Sequence, residues 1–217
     1  MSKTAAKSAA TNIAKEREKR RKKISVDKKL LLAMETLLEN GEEFSTTTID
    51  RLSVTAGISR ATFYLNYRDK ADLVTHLFEQ VRIEIIESAG QWFVSAGDTT
   101  FEDIRETIRG ILSTYREHYV VLAALHQTAQ TNPEVAKLSR DMRDGLVAAS
   151  VKAAQELEAA GRGNAHAGPV VATLLTLAID NVSTLQPELL DKENFDNTCD
   201  AWAHITWSSL ASKDVQP

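Results

Sequence analysis

The stretch that decides the fold runs Thr47-Thr48-Ile49-Asp50-Arg51-Leu52-Ser53-Val54-Thr55-Ala56-Gly57-Ile58-Ser59-Arg60-Ala61-Thr62-Phe63-Tyr64-Leu65-Asn66. It holds two short segments in which apolar residues recur at helical spacing, separated by a turn around Gly57. Thr47 or Thr48 is a suitable N-cap for the first segment, and Ser59 for the second. Gly57 permits the left-handed backbone that a tight turn requires. The stretch therefore predicts a helix-turn-helix unit.

The second helix of such a unit enters the major groove, where its exposed side chains meet base edges and phosphates. Here Phe63 and Tyr67 are predicted to face the core, which leaves the other side chains outside. A guanidinium suits guanine, a small apolar group suits a thymine methyl, and hydroxyl, amide and ammonium groups suit phosphates. The predicted DNA-contacting residues are Thr48, Arg60, Ala61, Thr62, Tyr64, Asn66 and Lys70.

The rest of the chain is also predicted to be helical, because the whole sequence of 217 residues includes only 9 glycines and 4 prolines. Ser25 is the expected N-cap of the first helix, and Thr100 and Asn132 begin two later ones. No convincing strand is present. The fold class is therefore all-α, with about nine helices, at about residues 26–39, 48–55, 60–66, 70–88, 101–118, 119–129, 133–160, 169–185 and 195–211.

Charge divides the chain unevenly. Residues 1–75 carry a net charge of +5 and residues 76–217 carry −9, within an overall charge of −4. A positive N-terminal part on an acidic body is typical of a DNA-facing domain joined to a different module. We expect a flexible basic arm at residues 1–24, a DNA-binding domain at 25–72 and a ligand-binding and dimerisation domain at 73–217. The arm either contacts DNA or serves as a solubilising tail.

Residues 28–75 resemble the DNA-binding domain of the TetR family of transcriptional regulators. The matching residues are Thr47-Thr48-Ile49, Leu52, Ala56-Gly57-Ile58-Ser59, Thr62-Phe63-Tyr64, Asn66-Tyr67, Lys70 and Leu73. The segment from Ala56 to Tyr64 is especially similar to the ethionamide-regulator-like members from actinobacteria. Arg51, Ser53 and Asn66 depart from residues common in the family, which bears on the operator sequence and not on the fold.

The resemblance implies a homodimeric repressor that binds a near-palindromic operator and is released by a small hydrophobic effector. It places a ligand cavity and the dimer interface in the C-terminal body. The residues predicted to line the cavity are aromatic or polar: Trp92, Phe93, Tyr115, Tyr119, His126 and Asn181. Apolar residues of the last two helices offered for the interface are Leu174, Leu177, Ala178, Trp202 and Ile205.

Two other classes of function were weighed. A helical metalloenzyme needs Glu-x-x-His pairs, and none of the five histidines has an acidic residue three positions earlier. A nonspecific architectural DNA binder would be basic throughout, unlike this acidic body. We therefore expect no enzyme activity, no metal and no cofactor. The single cysteine and the lack of an apolar run of about 20 residues favour a cytoplasmic protein without a membrane span.

Overall fold

The computed structural model describes residues 22–164 and 166–212. Within these ranges the chain is all-helical, as predicted, and its only β-type contact is an isolated bridge between Gly163 and Ala211. The nine helices of the described residues are α1 (22–39), α2 (Ile49–Thr55), α3 (Arg60–Asn66), α4 (Lys70–Ser88), α5 (Phe101–Glu117), α6 (Tyr119–Ala129), α7 (Pro133–Ala159), α8 (Gly168–Leu185) and α9 (Phe195–Leu210).

The start of α1 differs from the sequence prediction. Residues 22–24, which we assigned to the basic arm, are already helical, so Ser25 lies inside the helix and is not its N-cap. The remainder of the predicted arm, residues 1–21, lies outside the described residues. Three short 3₁₀ segments were also missed, because we read their glycine and proline residues as breaks: Gly90–Phe93, Ala96–Asp98 and Pro187–Leu190.

Side-chain caps set the start of several helices where the sequence placed them. Ser59 accepts a hydrogen bond from the Thr62 N–H, 3.0 Å away, at the start of α3. Thr100 and Asp103 form a reciprocal capping box at α5. Asn132 caps α7 by accepting from two backbone N–H groups, with Pro133 as the first helical residue. These caps are local in sequence, so composition and spacing were enough to find them.

The chain divides into two compact units between Leu77 and Phe78, whereas the sequence suggested a boundary after residue 72. The N-terminal unit contains α1 to α3 and the first part of α4. Its core consists of side chains with at most 3 % of their surface exposed: Leu30, Ala33, Met34, Leu37, Leu52, Phe63, Tyr67, Leu73 and Val74.

The C-terminal unit is a bundle in which α7 packs against α6 and α8, and α5 packs against α9. The end of α4 touches α5 closely, since a Cβ on Gly110 would stand 2.7 Å from the backbone oxygen of Ser88. A residue larger than glycine does not fit there without moving one helix. The side chains of Ile85, Leu112, Leu157 and Cys199 are fully buried in this bundle.

Helix α8 has an apolar surface that the described chain leaves uncovered. Only Ala172 and Ser183 of its 18 residues are buried, and Val170 and Leu174 are more than half exposed. By length and composition alone, α8 is also the one helix of the described residues that would suffice to cross a membrane. That is weak support for a span, because α8 carries Asp180 and Asn181 and packs on α7. The exposed face needs another explanation.

Two glycines test the backbone requirements, because replacing one should destabilise the protein and replacing the other should stabilise it. Gly57 has φ +61°, so Gly57→Ala should destabilise the protein by about 1–2 kcal/mol although a Cβ there meets no atom within 4 Å. Gly145 lies inside α7 with equal space, so Gly145→Ala should stabilise it by about 0.5–1 kcal/mol. Urea unfolding followed by circular dichroism measures both changes. A stabilising Gly57→Ala would contradict the turn geometry.

Candidate nucleic-acid interface and ligand cavity

The turn between α2 and α3 is closed by backbone hydrogen bonds. The Gly57 N–H donates to the Val54 carbonyl at 3.1 Å, and the Ile58 N–H donates to the Ser53 carbonyl at 3.0 Å. The positive φ of Gly57 lets the chain reverse within these residues. Thr48 caps α2 by accepting from the Arg51 N–H, whereas Thr47 bonds back to the Glu43 carbonyl. Of the two predicted caps, Thr48 is therefore the one used.

Buried aromatic rings determine which face of α3 points outward. Phe63 is fully buried, and Tyr67 just after the helix is 2 % exposed. The Tyr67 hydroxyl donates to Asp27 on α1, and the same carboxylate lies 3.2 Å from His76 Nε2 on α4. Burial, followed by the Asp27 contact, raises the pKa of Tyr67, so its hydroxyl remains a donor. Ala61, Tyr64 and Arg60 are thereby left exposed.

Arg60 stands at the exposed start of α3 with a carboxylate beside it. Its guanidinium lies 3.0 Å from Asp50 on α2 and 5.5 Å from the centre of the Tyr64 ring. The side chain is 61 % exposed, so water screens this ion pair and it is worth little to stability. The contacts with Tyr64 and Asp50 raise the pKa of Arg60, which keeps its charge. The guanidinium is therefore free to exchange Asp50 for another partner.

The other polar residues predicted on this surface make local hydrogen bonds. The Thr62 hydroxyl lies 2.9 Å from the Ser59 hydroxyl, and the Asn66 amide donates to the Thr62 carbonyl at 2.8 Å. Both side chains are half-buried, whereas Thr48 is exposed. Thr48 uses its oxygen as an acceptor in the cap, which leaves its hydroxyl hydrogen available.

In this structure the Lys70 side chain bonds to the loop that precedes α2. Its ammonium group donates to the backbone carbonyls of Phe44, Ser45 and Thr47 at 2.6, 2.9 and 2.6 Å. These three bonds use all three of its hydrogens. Burial lowers the pKa of the half-buried amine. The Lys70 side chain therefore ties the α1–α2 loop to α4 in this structure, and its contact with a DNA phosphate stays a prediction.

A cavity lies inside the C-terminal unit. The space open to a water-sized sphere amounts to about 70 Å³. Pockets that hold drug-sized ligands measure ~300–1,000 Å³, so this cavity has to widen when a ligand enters. Its surface is mostly apolar, with three of the predicted ligand residues, Trp92, Phe93 and Tyr115, in the wall. Further lining residues from α5, α8 and α9 include Ile108, Leu175, Ile179, Asp180, Trp202 and Thr206.

A second, more polar cavity, also of about 70 Å³, shares Ile85, Tyr115, Leu146 and Asp180 with the first. The predicted residues His126 and Asn181 line this second cavity. Tyr119 lines neither of these two cavities and borders a surface groove near Pro187, so its part in ligand binding stays a prediction.

A polar cluster that the sequence analysis missed stands where the two cavities meet. The hydroxyl of Tyr115 donates to Asp180 Oδ1 at 2.6 Å, and Arg143 Nε donates to Asp180 Oδ2 at 3.2 Å. The cluster joins α5, α7 and α8. Burial, with the charge of Asp180 as a further cause, raises the pKa of Tyr115 well above its ordinary value. Tyr115 therefore stays protonated and acts as a donor to the carboxylate.

The residues predicted for a dimer interface fall into two groups. Leu174, Leu177 and Ile205 belong to the exposed apolar surface of α8 and α9. Ala178 and Trp202 are half-buried, and the Trp202 side chain lines the first cavity. Among the described residues, no group of three or more histidine, cysteine, aspartate or glutamate side chains is arranged to hold a metal ion.

Comparison with known proteins identifies the fold. No protein-family profile and no curated protein matches the sequence. Several solved structures of transcriptional regulators do match, at 20 % identity or less. A regulator from Rhodococcus sp. RHA1 has a TM-score of 0.62 at 18 % identity, over 88 % of this chain and 99 % of its own. A TetR-family regulator from Marinobacter aquaeolei VT8 has a TM-score of 0.60 at 20 % identity, over 89 % and 100 %.

A third similar structure has a described regulatory role. SmeT, the repressor of the Stenotrophomonas maltophilia multidrug efflux pump SmeDEF, has a TM-score of 0.65 at 16 % identity, over 88 % of this chain and 93 % of its own. SmeT has also been solved as a complex with triclosan. These likenesses show that the chain has the fold of TetR-family regulators, a helix-turn-helix domain followed by a helical C-terminal domain.

The position of Lys70 leads to a test of its structural role. Lys70→Met keeps the apolar stem and removes the donor for three carbonyls, so it should lower the free energy of unfolding by about 1–2 kcal/mol. Lys29→Met, at an exposed position of α1, should change it by less than about 0.5 kcal/mol. Denaturant unfolding gives both values. If Lys70→Met left stability unchanged and only reduced the salt dependence of DNA binding, Lys70 would be a phosphate ligand and not a structural tie.

Proposed function

We propose that this protein is a transcriptional repressor that binds DNA through α3 as a homodimer and dissociates when a small apolar molecule enters its C-terminal unit. The observation that carries the proposal is the fixed rotation of α3. Phe63 and Tyr67 are buried on one side, and Arg60, Ala61 and Tyr64 are exposed on the other. Such a surface has the size and chemistry to enter a major groove.

Each exposed residue of this surface has a proposed part in the contact. Arg60 reads a guanine through its two-pronged guanidinium, and Ala61 lies close enough for apolar contact with a thymine methyl. Tyr64 and Thr48 donate hydroxyl hydrogens to phosphates, and Thr62 and Asn66 do so after exchanging their local bonds. The net charge of +5 on residues 1–75 supports this polarity. The basic residues 1–24 are proposed to add phosphate contacts that depend on salt.

The uncovered apolar surface of α8 and α9 supports a homodimer. Leu174, Leu177 and Ile205, with Ala178 and Trp202 beside them, are proposed to pack on the same residues of a second copy. A two-fold interface of this kind repeats one patch on both partners. It presents two α3 helices to the DNA, which matches a near-palindromic operator.

Helix α4 is the proposed link between ligand and DNA. It begins at Lys70, whose ammonium holds the loop before α2, and its residue Ile85 lines both cavities. A ligand changes DNA affinity only by its different affinity for the DNA-bound and free states. We propose that a filled cavity favours a position of α4 that does not suit the operator. The repressor sense is supported by SmeT, which is a repressor and which binds triclosan.

The remaining assignments follow from this function. The protein is proposed to work in the cytoplasm, where its DNA is, and to have no catalytic role. The closer resemblance of Ala56 to Tyr64 to ethionamide-regulator-like members stays a prediction from those nine residues.

Arg60 offers the most direct test of DNA reading. Operators are first selected from genomic fragments with the purified full chain. Arg60→Ala should then weaken operator binding by about 1–3 kcal/mol and relax the preference at one base pair. Arg140→Ala removes the same charge from an exposed site of α7 and should leave binding within twofold. Both are measured by fluorescence anisotropy across several salt concentrations.

Two outcomes would count against the readout role of Arg60. A loss that is uniform over all DNA sequences, with a smaller salt slope, would make Arg60 a phosphate ligand. No selected operator at all would remove the proposed function itself.

The dimer is tested with two leucines of matched exposure. Leu174→Asp puts a charge into the proposed interface and should convert the protein to a monomer in analytical ultracentrifugation, with loss of operator affinity. Leu32→Asp makes the same change on α1, where Leu32 is 63 % exposed against 60 % for Leu174. This control should remain dimeric. A dimer that survives Leu174→Asp would place the interface elsewhere.

A further inference from the structure

The cavity of the C-terminal unit contains one charged group in an otherwise apolar and aromatic wall. Among the described residues that line the first cavity, Asp180 alone carries a formal charge. Four aromatic side chains, Trp92, Phe93, Tyr115 and Trp202, share the wall with it. A carboxylate in apolar surroundings exerts a stronger field than one in water. The faces of aromatic rings, like the carboxylate, attract cations.

Arg143 offsets the charge of Asp180 without lining the first cavity. It bonds Asp180 Oδ2 from the side of the second cavity, and it is absent from the lining of the first. Tyr115 bonds Oδ1. Each carboxylate oxygen accepts about two hydrogen bonds, so both oxygens retain capacity for a further donor. The side chain of Asp180 is 28 % exposed and that of Arg143 is 37 % exposed, so neither is sealed off from a ligand.

The Tyr115 hydroxyl also favours a ligand that donates a hydrogen bond. Its hydrogen is directed at Asp180, which leaves only its oxygen lone pairs for a ligand. The polar end of the first cavity is therefore rich in acceptors, while the apolar residues Ile108, Leu175 and Ile179 surround the rest. An anion there meets a carboxylate, while the Arg143 guanidinium stands outside the wall and is already paired with Asp180. A protonated amine meets the negative charge of Asp180, acceptor oxygens on Asp180 and Tyr115, and aromatic rings.

We propose, building on the proposed function, that the effector is a compact apolar molecule with one protonated amine, which Asp180 holds as counter-ion. The amine nitrogen donates to the free lone pairs of Asp180, and the apolar body occupies the space between α5, α8 and α9. Arg143 competes with the ligand for the carboxylate. Because three helices meet at Asp180, a change in its partners reaches α5, α7 and α8 together.

The test compares three probes of one shape and different charge: phenylbutylamine, phenylbutanol and phenylbutyrate. Isothermal titration calorimetry with the full chain should rank the amine about tenfold tighter than the alcohol, with the carboxylate weakest; tenfold is about 1.4 kcal/mol. Asp180→Asn keeps an oxygen for Tyr115 and should abolish the preference for the amine without weakening the alcohol. Asp144→Asn makes the same change at an exposed position of α7 outside both cavities, and should leave all three affinities within twofold.

The Arg143→Met variant distinguishes a cationic effector from an anionic one, because the two predict opposite changes in affinity. Removing the competing cation should tighten phenylbutylamine several-fold. An effector that is an anion predicts the reverse, with phenylbutyrate the tightest probe and lost in Arg143→Met, and that result would overturn the proposal. This variant and the ranking by the unaltered protein keep the test decisive if Asp180→Asn unfolds.

Two further outcomes separate this proposal from the function on which it rests. If the alcohol binds as tightly as the amine and releases operator DNA, the amine preference is wrong and the repressor function stands. If the chain binds its operator and no probe of any charge enters the cavity, both the amine preference and ligand control are wrong.

Discussion

The burial of Phe63 and Tyr67 is the constraint on which the exposed DNA-facing surface depends. Helix α3 has seven residues, and an isolated helix of that length is not stable in water. It exists because Phe63 enters the core of the N-terminal unit, Ser59 caps its first turn and Tyr67 ends it with a bond to Asp27. The direction of Arg60 and Tyr64 follows from that burial. Changing the buried residues would disturb DNA contacts that they never touch.

The cavity region of the C-terminal unit is mostly apolar, and its few polar contacts lie close together. Around an interior of aliphatic and aromatic side chains, Tyr115, Arg143 and Asp180 gather on three helices. An apolar wall with a few convergent polar groups is typical of a small-molecule site. In the function that we propose, the N-terminal unit determines what the protein presents to DNA, and the C-terminal unit determines which molecule it responds to.

Features that depend on neighbours in sequence were predictable, and features that depend on distant partners were not. The caps at Ser59, Thr100 and Asn132 and the turn at Gly57 were all found from spacing. The position of Lys70 was not, because its carbonyl partners lie 23 to 26 residues earlier in a loop. Likewise Tyr115 and Asp180 are 65 residues apart. Helix α8 is apolar on most sides, so periodicity did not tell Asp180 from Asn181, the residue we selected.

The uncovered leucines of α8 have a consequence for abundance in the cell. Under the proposed homodimer, the DNA-binding species forms from two chains, so its amount varies with the square of the monomer level when monomers predominate. Promoter occupancy would then respond more steeply than linearly to synthesis and degradation. Gene dosage would thus be a second input beside the proposed effector, and it would act without any additional binding site.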